Sequence, residues 1–244
     1  MTIGALAGCA TGVPDRSGDA QALTAQVRQL PGVVNATAET AHSQAQGRVY
    51  FHLYVDVSES VTDGQAAAIT ARYLRDIGSG KYADYRLELD LRRGWSVFAV
   101  DSGAAAVVNA DQIIGQSRDW TALMHQFPSA TVALRATITH PNGQLSVQEA
   151  GHSNLAELDF ADPGDYQTVS AAARTLSARF PNLAGLDWTL DAGKDHPAEI
   201  KTSRLLPTAG ELDTFNRLNA DQSIPHIDRL RINDPVTPPV WFSE

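Results

Sequence analysis

An internal recurrence constrains this chain more than any single motif does. Asp63, Gln65, Ala71, Arg72 and Leu74 are matched without a gap by Asp165, Gln167, Ala173, Arg174 and Leu176, 102 residues on (165 − 63). Leu87-Glu-Leu-Asp90 is answered by Trp188-Thr-Leu-Asp191, and Gln29-Leu-Pro31 by Gln126-Phe-Pro128. Such self-similarity predicts two like units in tandem, and 244 residues leave room for both to carry a core.

Each copy reads in the same order. In the first, Asp19 caps a helix that stops at Pro31-Gly32, and strands follow at 33–42 and 48–57. Within the latter, Val49, Phe51, Leu53, Val55 and Val57 alternate with Tyr50, His52, Tyr54 and Asp56, the period of a half-buried strand. Thr62 caps a helix over 63–77, and strands at 85–92 and 96–101 close the unit. The second copy predicts a helix over 111–127, strands at 131–139 and 144–149 around the turn Pro141-Asn142-Gly143, a helix over 166–179 and a strand at 186–190. The tail adds a strand at 200–205, a helix over 209–220 capped by Thr208, a strand at 226–232 and an extended end whose Trp241 and Phe242 fold back on the body.

The expected fold class is therefore α+β: two tandem αββαβ units, each an antiparallel sheet with helices on one face, plus a C-terminal half-unit. The boundaries are 1–18 for a flexible leader, 19–104 and 105–195 for the two units, and 196–244 for the strand-helix-strand that completes the second. This element order resembles BON-type or ferredoxin-like modules.

Composition excludes several functions. Nineteen basic against 28 acidic side chains give a net charge of −9, the wrong sign for a nucleic-acid partner. Gly78-Ser-Gly-Lys81 lacks the spacing of a phosphate loop and ends a helix, where carbonyls repel phosphate. The seven histidines, His42, His52, His125, His140, His152, His196 and His226, show no paired-ligand spacing, so neither metal nor cofactor is expected. Asp195-His196-Pro197 reads as a solvated loop. There is no GxSxG elbow, and no catalytic residue is assigned. Glu88 and Asp90 share a strand face with Arg86 and Arg92, which reads as a solvated charged surface.

Leu6-Ala7-Gly8-Cys9 resembles the lipobox of bacterial lipoproteins: an aliphatic residue, two small ones, then the cysteine that takes the lipid. The chain's single cysteine falls where that pattern wants it, and 10–18 are small, polar and rich in Gly and Pro, as a tether requires. Only eight uncharged residues precede Cys9, so a signal peptide is expected to extend upstream of this start. Three lysines, Lys81, Lys194 and Lys201, within a basic total of 19 add to a likeness with actinobacterial envelope lipoproteins. The resemblance implies lipid attachment at Cys9 and a location on the extracytoplasmic face of the cell membrane.

The expected role is accordingly a membrane-anchored binding or scaffolding protein of the envelope. Its candidate partner surface is Tyr50, His52 and Tyr54, which point away from the helices, although that face is read first as packing on the second copy or lying in water. The alternatives are an envelope hydrolase or small-ligand enzyme with a site between the units, and a cytoplasmic domain with a fortuitous N-terminus.

Overall fold

The computed structural model describes residues 12–43, 48–82, 84–103, 107–139, 147–148, 151–152, 154–161, 164–193 and 197–233. Cys9, the turn at 141–143, the 194–196 loop and Trp241-Phe242 lie outside them. Five helices and eleven strands follow one another as α1 (Ser17–Arg28), β1 (Val33–Ser43), β2 (Arg48–Val57), α2 (Asp63–Ile77), β3 (Arg86–Arg93), β4 (Ser96–Gly103), α3 (Ala110–Gln126), β5 (Ala130–Arg135), β6 (Val147–Gln148), β7 (Gly151–His152), β8 (Leu155–Phe160), α4 (Tyr166–Arg179), β9 (Asp187–Ala192), β10 (Ala198–Thr202), α5 (Ala209–Ala220) and β11 (Arg229–Ile232). β6 and β7 pair only with each other; the other nine strands form a single sheet in the order β1-β2-β3-β4-β5-β8-β9-β10-β11.

The pairings alternate without exception. β1–β2, β3–β4, β5–β8 and β9–β10 are antiparallel, whereas β2–β3, β4–β5, β8–β9 and β10–β11 are parallel. A hairpin reverses the chain and lays an antiparallel neighbour; a helix crossing over returns it to the same end and lays a parallel one. Helix, strand, strand thus recurs four times, and a fifth helix and strand end the series. The expectation of antiparallel sheets holds for the hairpins and fails wherever a helix intervenes. The two expected units do not form separate sheets either, because β4 and β5 pair directly, Val97 against Ala133.

The nine-stranded sheet turns one face to the helices. Phe51, Leu53 and Val55 on β2, Leu87, Leu89 and Leu91 on β3, Val132 and Leu134 on β5 and Trp188 and Leu190 on β9 are buried, together with Leu23, Ile69, Trp120, Leu176 and Phe215 from the five helices, in one core. Among the described residues no helix lies on the opposite face.

Local chemistry explains most element ends. Thr62, Asp165 and Thr208 each close a capping box, with Gln65, Thr168 and Glu211 as the reciprocal partners. Thr62 and Thr208 are the caps expected from sequence. Asp19 is not: α1 begins at Ser17, no side chain caps it, and Asp19 sits in the first turn 3.4 Å from Arg16. Gly32 has φ +87, and a Cβ there would stand 2.9 Å from the Gln65 carboxamide that serves the α2 cap, so the turn out of α1 and the start of α2 need this glycine together.

Two sequence expectations change at the strands. β5 stops at Arg135, and its hairpin partner is β8, with Ala130 opposite Phe160, rather than a strand at 144–149. Of that span only Val147 and Gln148 are described, in the small ribbon with β7. The leader also ends earlier than Gly18. The Tyr85 hydroxyl donates to the Pro14 carbonyl at 3.0 Å and accepts from the Arg16 amide at 2.9 Å, while the His42 ring meets the Val13 carbonyl.

Candidate functional site

Register decides what the uncovered face carries. Across β1 to β4 the rows run Glu39, His52, Glu88, Asp101 and Thr37, Tyr54, Asp90, Ala99. The rows on β4, β5, β8 and β9 run Val97, Ala133, Glu157, Thr189 and Ala99, Arg135, Leu155, Asp187, with Thr131, Asp159 and Asp191 in the row beyond.

In the β1–β4 part both β3 arginines of the face are paired with carboxylates. His52, 15% exposed, has Nδ1 3.1 Å from Glu88 and Nε2 3.2 Å from Asp90, the second contact lying off the line of a hydrogen bond. Arg86 meets Glu88 at 2.7 Å and the buried Asp101 at 3.4 Å. Arg92 pairs with Asp56 at 2.9 Å and holds its guanidinium 4.9 Å from the Tyr54 ring centroid, and the His52 and Tyr54 rings stack at 3.9 Å. Burial raises the Tyr54 phenol, with Glu39, Asp90 and Glu88 adding to the shift against Arg92, so it stays a hydrogen-bond donor at neutral pH. Tyr50 donates to Glu39.

The candidate residues therefore stand as follows. Tyr50, His52 and Tyr54 share the uncovered face, and each is engaged by its neighbours there. The described strands of the second half do not cover them, since they extend the sheet sideways from β4. Arg86, Glu88, Asp90 and Arg92 share one face, as their period-2 spacing predicts, and the strand pairing joins them there to His52, Asp56 and Asp101. Both ring nitrogens of His52 face carboxylates, so the arrangement locks a surface and does not free a base for proton transfer. Among the described residues no three His, Cys, Asp or Glu side chains are placed to hold a metal ion.

The β5–β8–β9 part is built differently. Asp159 lies directly opposite Asp191, Glu157 is two residues along β8, and among the described residues none of the three has a cation beside it. Burial raises the Glu157 carboxyl above the ordinary range, and Asp159 and Asp191 push it further. Two depressions flank these acids. One of about 600 Å³ lies where β5 begins and β8 and β9 end, lined by Ser129, Thr131, Asp159, Asp191 and Gly193. The other, of about 370 Å³, is floored by Val97, Ala99 and Ala133 and walled by Arg135, Leu155 and Glu157. Small side chains on β4 and β5 make it concave. Among the described residues no hydrogen bond joins the Ser129 or Thr131 hydroxyl to Asp159 or Asp191.

Glu157 gives a pH prediction with a definite sign. Its folded carboxyl binds a proton more readily than the usual 4.5 of an unfolded glutamate. Its contribution to stability is full below that value and is lost as pH rises through the raised folded value. The residue is only partly covered and solvent reaches it, so the effect is small. Glu157→Gln should raise the pH 7 melting temperature by about 1–2 °C and flatten its fall as the pH rises above 4.5 in calorimetry. A variant that melts lower at pH 7 would contradict this reading.

No family model, curated protein or solved structure matches the chain.

Proposed function

We propose that this chain is a lipid-anchored binding or scaffolding protein of a bacterial cell envelope, a lipoprotein held at Cys9 after removal of a signal peptide, which offers the uncovered sheet face to a partner. The observation that carries the reading is that face: nine strands wide, free of helices, set with tyrosines and interlocked charges, and without a catalytic constellation among the described residues. The lipobox Leu6-Ala7-Gly8-Cys9 supports the address. With Val13 held by His42, the four Cα-to-Cα steps from Cys9 to Val13, at most about 14 Å when extended, would separate the lipid from the fold and keep it close against the membrane. On this reading the 102-residue recurrence is a duplication of a two-helix, four-strand piece, since its copies fall on α2 with β3 and on α4 with β9.

The test has two arms in the native host, with the gene's own upstream sequence. Wild-type protein should incorporate labelled palmitate and fractionate with membranes, and Cys9→Ser should do neither. Photo-crosslinkers at Tyr50 and Tyr54 should capture a partner, while one at the exposed helix position Arg75 should not. Unlabelled wild-type protein removes the anchor, and crosslinking confined to Arg75 removes the binding face.

A further inference from the structure

We infer that the trough over β4, β5, β8 and β9 docks an extended, basic segment of a partner protein, its apolar side chains on the small-residue floor and its cations against Glu157, Asp159 and Asp191. The inference rests on the binding reading above and names the partner's chemistry.

Charge complementarity carries it. On the same face, both arginines of β3, Arg86 and Arg92, are paired with carboxylates. Asp159 and Asp191 instead oppose each other across neighbouring strands, an arrangement that destabilises a sheet. A row of like charges beside a concave floor is relieved by a cation brought in by a partner. Nucleic acid and anionic lipid headgroups would be repelled.

The spacing favours an extended chain. Glu157 and Asp159 are two residues apart on one strand, roughly 7 Å, and an extended segment repeats its own side chains on one side at the same interval. The floor is two strands wide, Val97 and Ala99 on β4 beside Ala133 on β5, which is roughly 10 Å of sheet. At the far end Arg135 stands with Asp90 and Asp187, so carboxylates border the floor there too. Trp95, at the β3–β4 hairpin tip two residues before Val97, is 91% exposed. A bare indole is uncommon on a surface and is well suited to cover an ammonium or guanidinium group.

The probe is a fluorescein-labelled seven-residue peptide of alternating lysine and valine, titrated by anisotropy into the purified chain. It should bind more weakly as salt rises, and the double variant Asp159→Asn with Asp191→Asn should weaken it at least about tenfold. Ala133→Arg, which fills the floor and adds a cation, should do the same. The double variant Glu59→Gln with Asp213→Asn removes two exposed carboxylates elsewhere and should leave affinity within about twofold. Melting curves of each variant establish that it is folded. Equal weakening by the two double variants, or full binding to Ala133→Arg, overturns the inference. In cells, a photo-crosslinker at Ala99 should yield a peptide with alternating basic residues. A second copy of this chain or an acidic segment at Ala99 overturns the inference and leaves the binding reading standing. Absence of product from Ala99, Tyr50 and Tyr54 alike overturns both.

Discussion

Trp120→Ala should lower the melting temperature by about 10 °C. The side chain is fully buried on α3, its Nε1 donates to the Val132 carbonyl of β5 at 3.2 Å, and its ring lies 6.4 Å from Phe98 of β4. It therefore roofs the parallel β4–β5 pair through which the two halves of the chain become one sheet. Deleting a buried tryptophan costs about 3–5 kcal/mol in lost transfer energy and residual cavity. In a chain of this size each kcal/mol is worth roughly 2–4 °C. Trp120→Phe keeps most of the volume and should lose about a third as much. Differential scanning calorimetry checks both, and a loss below about 3 °C for the alanine variant would mean that the seam is not held from above in this way.

Gln116→Leu should cost about 1–3 kcal/mol, because it leaves a buried amide without a partner while keeping the side-chain volume. The carboxamide is 4% exposed and grips one residue twice: it accepts from the Thr137 amide at 2.9 Å and donates to the Thr137 hydroxyl at 2.9 Å. Asn109 does the same one step on, donating to the Thr137 carbonyl and accepting from the Thr139 amide at 3.0 Å. These two side chains stand where a neighbouring strand would otherwise satisfy the backbone after β5. Hydrogen exchange at the Thr137 amide should quicken at least about tenfold in Gln116→Leu, together with a lower denaturant midpoint. Unchanged exchange would show that the backbone has another partner.

Much of the fold was legible in the sequence, and particular residues show why. Thr62 and Thr208 announce α2 and α5 because a capping hydroxyl before an amphipathic run has one local meaning. The alternation from Val49 to Val57 announces β2 and the direction of Tyr50, His52 and Tyr54. The span 155–160 escaped because Leu155 sits on the same side as Glu157 and Asp159, which breaks the apolar–polar alternation that marks a half-buried strand. The reach of β5 was overread, since Ala136 and Ile138 are buried like strand residues although the chain there is held by Gln116 and Asn109. The site was half legible. That Glu88 and Asp90 share a face follows from period 2, but that His52 lies opposite Glu88 follows from the register of a parallel pair. That register is set by how the α2 crossover packs, and no local pattern encodes it. The opposed carboxylates Asp159 and Asp191 were hidden for the same reason, compounded by the unseen strand.

The alternating ladder has a consequence for how the molecule comes apart. Each strand leans only on its immediate neighbours, while α1 packs on α2, α2 on α3 and α4 on α5. Stability in such an array is close to a sum of nearest-neighbour couplings, and cooperativity need not span the chain. β1 and β11, which end the strand order among the described residues, are the points from which melting peels inward, and the strands beneath Trp120 are the last to part. A fluorescence signal from that indole and a far-ultraviolet dichroism signal from the whole backbone then report different stages of one progressive unzipping, and their midpoints separate.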